Sequence, residues 1–233
     1  MDNAQLYIEK YKELETIVRK TYGLPESDSI SHFLKNQNKF NRYYDDISYC
    51  QKVRNFMQHE RKIDARFAIV PNDAMVAFID QLIKKVADRP QCNDICIKFK
   101  DIEWRSLSDS VKSTMKVMRQ KVYTHIPIIE NGLLVGVFDE NSLFNYVAEN
   151  EILDVDEKLR FADIQEYLSI QDREMEEFLF VKPTMYVDDL EKEIQKYFSK
   201  NKRVGIAFLT TNGRENGPIQ GMITPWDIIS LVD

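Results

Sequence analysis

Apolar positions in the first 90 residues recur at helical spacing. Tyr7, Tyr11, Leu14, Val18 and Tyr22 share one helix face with charges between them, and Gly23-Leu24-Pro25 stops the pattern. A shorter helix is expected from Ser29 or Ser31. Phe40, Tyr43, Ile47, Cys50, Val53 and Met57 mark a long amphipathic helix. Pro71-Asn72 opens another, with Asn72 as its cap and Met75, Ile79, Leu82 and Val86 on one face. Four helices without a strand pattern predict a small up-down bundle over residues 1–90.

The periodicity changes after Asp88-Arg89-Pro90. Ile95 to Phe99 alternates as a short strand, and Leu107-Ser108-Asp109-Ser110 opens a helix carrying Val111, Met115 and Met118. Two apolar runs then flank Glu130-Asn131-Gly132, a hairpin signal because Asn-Gly tolerates the positive φ of a tight turn. A helix with Leu143, Phe144 and Val147 follows from Asp139. Residues 151–178 read as a charged helical bridge. The order then repeats: a strand from Phe178 to Val181, a helix capped by Asp188 or Asp189, strands Val204–Leu209 and Ile219–Ile223, and a closing helix from Pro225 to Val232. Gly136 and Gly221 set the repeat at about 85 residues.

The second repeat ends Gly221-Met222-Ile223-Thr224-Pro225-Trp226-Asp227. Thr224 is a good N-cap and Pro225 a good first helical residue. Free N–H groups at such a helix start favour an anion, and a carboxylate one turn in suits a pair of ribose hydroxyls. This stretch resembles the Gly-x-x-Thr/Ser-x-x-Asp close of a CBS domain, and the strand and helix order of both halves is similar to CBS motifs. The resemblance implies a tandem CBS pair, a Bateman module, with a first motif over residues 91–150 and a bridge plus second motif over residues 151–233. It places Thr224 and Asp227 on phosphate and ribose, and Arg203 can add charge for phosphate. Adenine nucleotides (AMP, ADP, ATP) or S-adenosylmethionine are the ligands implied, as regulators and not as a required cofactor. Gly205-Ile206-Ala207 would leave space for a base. The first motif departs from the pattern, with Asp139 in place of Thr or Ser and Ser142 in place of Asp, which argues against a phosphate there. The competing reading is that Thr224 caps a helix, Asp227 salts its first turn, and Trp226 packs.

Late in the third long helix stand Arg54, Asn55 and His59. They resemble the Arg-Asn-x-x-x-His motif of HEPN domains, helical bundles that include metal-independent ribonucleases. His59 suits acid–base work, Arg54 a bidentate grip on phosphate, and Asn55 positioning by hydrogen bonds. Arg54 and His59 are five residues apart and diverge by about 140° on one helix. The resemblance implies a homodimer that brings two copies of the motif to one cleft. In the competing reading Arg54 pairs with Asp46 or another helix carboxylate, and the bundle is a non-enzymatic interaction module beside a structural CBS pair.

Composition narrows these options. Residues 1–90 carry 15 Lys+Arg against 13 Asp+Glu, so the remainder of the 32 and 38, 17 against 25, gives +2 and then −8. RNA contact is therefore expected only in the first part. Three cysteines and no clustered His predict packed thiols and no metal. No run reaches membrane-spanning length and no leader pattern is read, so a cytoplasmic protein is expected. Phosphate loops, dinucleotide fingerprints and nucleophile elbows are absent from the sequence. The fold expected is α+β: a HEPN-like all-α bundle followed by a tandem CBS pair.

Overall fold

The structure is a computed structural model that describes residues 2–59, 67–151, 155–171 and 173–230. The chain divides into two compact units, Met1–Arg89 and Pro90–Asp233.

The first unit is helical among its described residues: α1 (Asn3–Tyr22), α2 (Ile30–Lys35), α3 (Tyr44–His59) and α4 (Asp73–Ala87), with a 3₁₀ segment at Asn38–Tyr43. Each start has a local cause. Asp2 accepts from the Ala4 N–H, Ser29 from His32 and Asn72 from Met75. Gly23, at φ 67°, ends α1 in the left-handed region. The apolar faces meet in one core containing Tyr7, Leu14, Leu34, Phe40, Ile79 and Leu82. Two phenols in that core are satisfied: Tyr7 donates to the Cys50 carbonyl at 2.8 Å, and the Tyr11 and Ser31 hydroxyls share a 2.8 Å bond. Burial pushes the Tyr7 phenol and the Cys50 thiol up from their ordinary values.

The second unit is two lobes of the same plan. The first contains α6 (Val111–Lys121), β2 (His125–Glu130), β3 (Leu133–Asp139) and α7 (Glu140–Glu149). The second contains β4 (Glu176–Val181), α8 (Val187–Phe198), β5 (Arg203–Thr210), β6 (Ile219–Ile223) and α9 (Pro225–Ile229). β4 is parallel to β5, and β5 antiparallel to β6. In the first lobe the strand before the helix shrinks to one parallel bridge, Arg105 to Ile128, beside the β2–β3 hairpin. Pro127 lacks an N–H, but its carbonyl accepts from Arg105 at 3.0 Å.

Each lobe is closed by a segment that precedes the other lobe's strands. Residues 90–95, including the short α5 (Cys92–Ile95), dock on the second lobe: Cys92 N–H to Met185, Asn93 to Pro183, and Val187 to Pro90. The 3₁₀ segment Phe161–Leu168 docks on the first lobe by the same three bonds: Phe161 N–H to Asp109, Ala162 to Leu107, and Val111 to Leu159. The lobes then pack sheet to sheet through Ile129, Val137, Phe178, Ile206, Phe208 and Ile219.

Four sequence expectations change. Ile95–Phe99 is not a five-residue strand, because the Asp94 carboxylate accepts the Gln91 N–H and closes a helical turn, leaving only β1 (Ile97–Lys98) to pair with β6. Among the described residues of the bridge, Phe161–Leu168 is a kinked 3₁₀ segment with non-helical φ/ψ at Ile164, and β4 begins at Glu176. Helix α8 starts from Tyr186, with Asp188 and Asp189 inside its first turn. The last helix ends at Ile229, and residues 231–233 fall outside the described set.

Candidate functional site

Strand β6 delivers Thr224 to the start of α9. The Thr224 N–H and hydroxyl both donate to one oxygen of Asp227, at 2.7 and 2.8 Å. Thr224 and Asp227 are thus brought together as a capping pair, and Asp227 keeps a second carboxylate oxygen. Trp226 beside them is 77% exposed and not packed. Arg203 opens β5. Ala207 pairs with Ile223, so Arg203 lies at the same end of the sheet as Thr224, about 13 Å along the strand from that pairing. The Arg203 Nε bonds Glu176 at 3.0 Å while most of its side chain is exposed.

Gly205 does not leave room for a base. A Cβ there would meet the Glu176 carboxylate at 2.9 Å and the Phe178 ring at 3.2 Å, so its space is taken by Glu176. Ala207 is buried in the second lobe's core.

In the first lobe the two pattern residues form the reverse arrangement. Asp139 caps α7 and accepts from the Ser142 N–H and hydroxyl at 2.8 and 2.7 Å. Its other oxygen takes the Arg173 guanidinium, which also donates to the carbonyls of Val137 and Ser169, each at 2.8 Å. Glu176 joins this cluster. His125 Nε2 lies 3.1 Å from both of its oxygens, and the Thr124 hydroxyl meets His125 Nδ1 at 2.8 Å. Burial alone would raise the Asp139 carboxyl, but the two Ser142 bonds and Arg173 outweigh it and hold the group below its ordinary value. Burial likewise works against Glu176, and His125 and Arg203 hold it low. Both carboxylates are ionised at neutral pH, balanced by Arg173 and Arg203. His125, Asp139 and Glu176 present ligand atoms within 4.8 Å of one another. They suit a divalent cation by donor type, yet Arg173 already supplies the positive charge there.

A cleft of about 680 Å³ opens between the start of α7 and the starts of β4 and β5, lined by Ser142, Asn145, Tyr167, Arg173, Glu176 and Arg203. Arg203 therefore faces a wall that includes first-lobe residues. Sequence reasoning missed His125, Arg173 and Glu176. The one available signal was the acid at position 139, which demands a cation that only folding can choose.

In the helical unit Arg54 is committed. Its Nη2 bonds Glu15 on α1 at 2.8 Å, its Nη1 bonds the Asn55 amide oxygen at 3.1 Å, and its guanidinium lies over the Tyr11 ring at 5.6 Å. Asn55 and His59 are exposed, His59 at the C-terminal end of α3. The carboxylate partner is Glu15 and not Asp46. All three cysteines are free thiols, and burial pushes Cys92 up to about 12. Among the described residues no helix is long and apolar enough to cross a membrane.

No protein-family model matches the chain, and no curated protein matches it. Solved structures do align with it. A hemolysin-like protein containing a CBS domain, from Oenococcus oeni, is 14% identical over 60% of this chain and 88% of its own, with a TM-score of 0.41. CBSX2 in complex with AMP is 15% identical over 60% and 94%, with a TM-score of 0.43. CbpB in complex with c-di-AMP is 12% identical over 61% and 84%, with a TM-score of 0.45.

Proposed function

We propose that the chain is a regulatory protein whose C-terminal unit, residues 90–233, is a CBS-type pair that senses an adenine nucleotide and so controls its helical N-terminal unit. The observation that carries this reading is the Thr224–Asp227 pair at the start of α9, which offers one carboxylate oxygen beside a helix start. The doubled lobe plan supports it, because each lobe repeats the same three docking bonds. In this reading Asp227 receives ribose hydroxyls, and Arg203, whose Nε bonds Glu176, adds positive charge for phosphate. The ligand biases the pairing of two chains only if it prefers one arrangement of the dimer.

Calorimetry of the full chain with AMP, ADP, ATP, c-di-AMP and S-adenosylmethionine tests this. Saturable heat with at least one supports the reading, and none with any of them, on folded protein, ends it.

For the helical unit two readings stand. In the first, paired HEPN-like bundles cut RNA without metal, with His59 as acid–base and Arg54 on phosphate. The second, a non-enzymatic interaction module, is favoured by the Arg54–Glu15 pair, which spends the cation on holding α3 to α1. Incubating RNA in EDTA with wild type and His59→Ala separates them. Cleavage that disappears in the variant supports catalysis, and equal inactivity supports the module.

A further inference from the structure

We propose that the first lobe's ligand position is filled from within. Asp139 is built to hold the guanidinium of Arg173, so the pair of lobes binds one small molecule per chain and the first lobe is a guanidinium receptor. The count of one rests on the nucleotide reading above; the guanidinium site does not.

The two lobes correspond residue by residue where it matters. Gly136 and Gly221 hold the same place, so Asp139 stands for Thr224 and Ser142 for Asp227. In the second lobe the capping residue donates and the residue one turn in accepts. In the first lobe both roles are exchanged: Ser142 donates through its N–H and hydroxyl, and Asp139 accepts. The exchange keeps the cap but moves the negative charge to the mouth of the helix. Asp139 thereby takes for itself the positive end of α7 that an incoming anion would need.

Arg173 completes the arrangement. Its guanidinium meets Asp139, the carbonyls of Val137 and Ser169 and, at 3.5 Å, Glu176. Its side chain is 14% exposed, and its guanidinium lies over the Phe178 ring at 5.1 Å. Four acceptors, two carboxylates and two backbone carbonyls, and an aromatic floor fit a planar fork and not a compact ammonium or a phosphate. The cation comes from the connector between the lobes, so filling this site also ties Arg173 to Ser169 and Glu176 at the edge of the cleft.

Two measurements test the proposal. The first is thermal melting of full-length Arg173→Ala with 10 mM guanidinium chloride or methylguanidinium chloride, against the same concentration of sodium or ammonium chloride. The variant should melt roughly 10 °C below wild type, since one partner of a buried pair has been removed. Guanidinium should recover at least half of that loss, sodium and ammonium should not, and wild type should gain nothing. Absence of guanidinium-specific recovery overturns the receptor. Should the Ala variant not fold alone, regain of its folded far-UV signal on adding guanidinium, and not on adding sodium or ammonium, carries the same readout. The second measurement is the stoichiometry of AMP or ATP on wild type. One site per chain is expected; two would overturn the proposal while upholding the nucleotide reading. No nucleotide at all would end that reading, and recovery by guanidinium would still decide the receptor.

Discussion

A methyl group on Gly136 would stand 2.4 Å from the carbonyl oxygen of Leu168, and one on Gly221 would stand 2.8 Å from that of Ile97. Gly136 lies where the closing 3₁₀ segment presses its backbone onto β3, and Gly221 where β1 runs beside β6. The glycine of the closing pattern is thus a packing requirement before it is a ligand feature. Gly136→Ala and Gly221→Ala should each destabilise the protein by about 2 kcal/mol, lowering the melting temperature by roughly 4–8 °C. Thermal melts of the two variants check this, and a change below about 0.5 kcal/mol in either would contradict the docking described.

The Arg54–Glu15 pair joins α3 to α1 with both side chains about three-quarters buried. A double-mutant cycle with Arg54→Ala and Glu15→Gln should give a coupling of about 1 kcal/mol in urea unfolding. Coupling near zero would free Arg54 for another role.

Acid stability should depend on Asp139 and Glu176. Both are held below their ordinary values in the folded chain. A depressed folded pKa gives stability that is present above the unfolded values, about 3.9 for Asp and 4.3 for Glu, and is lost as pH falls through the lower folded values. The urea midpoint should be flat from pH 7 to about 5 and fall below that. Asp139→Asn should start lower at pH 7 and fall less steeply. A decline parallel to wild type would show that Asp139 gives no pH-dependent stability.

Much of this architecture is local and was therefore readable from sequence. Asn131 and Gly132 carry φ of 51° and 78°, as an Asn-Gly hairpin turn requires. The caps at Asn72 and Ser110 are each set within three residues. Thr224 and Pro225 are likewise neighbours, so the helix start they set is legible in the sequence, while the bonds from Thr224 to Asp227 come from the structure. The cluster around Asp139 was not, because its partners Arg173, Glu176 and His125 come from separate strands and the connector. Position 139 read alone suggested repulsion of an anion; the fold supplies the cation that resolves it. Trp226 misled for the opposite reason. Aromatic character argues for burial, but α9 turns this ring outward.

Titration calorimetry on the full chain tests most directly whether Asp227 holds a nucleotide. Wild type should give saturable heat with an adenine nucleotide, and Asp227→Asn should bind it at least about tenfold more weakly, the loss expected for a hydrogen bond to a charged group. Flat titrations with every nucleotide, or undiminished affinity in Asp227→Asn, would contradict it.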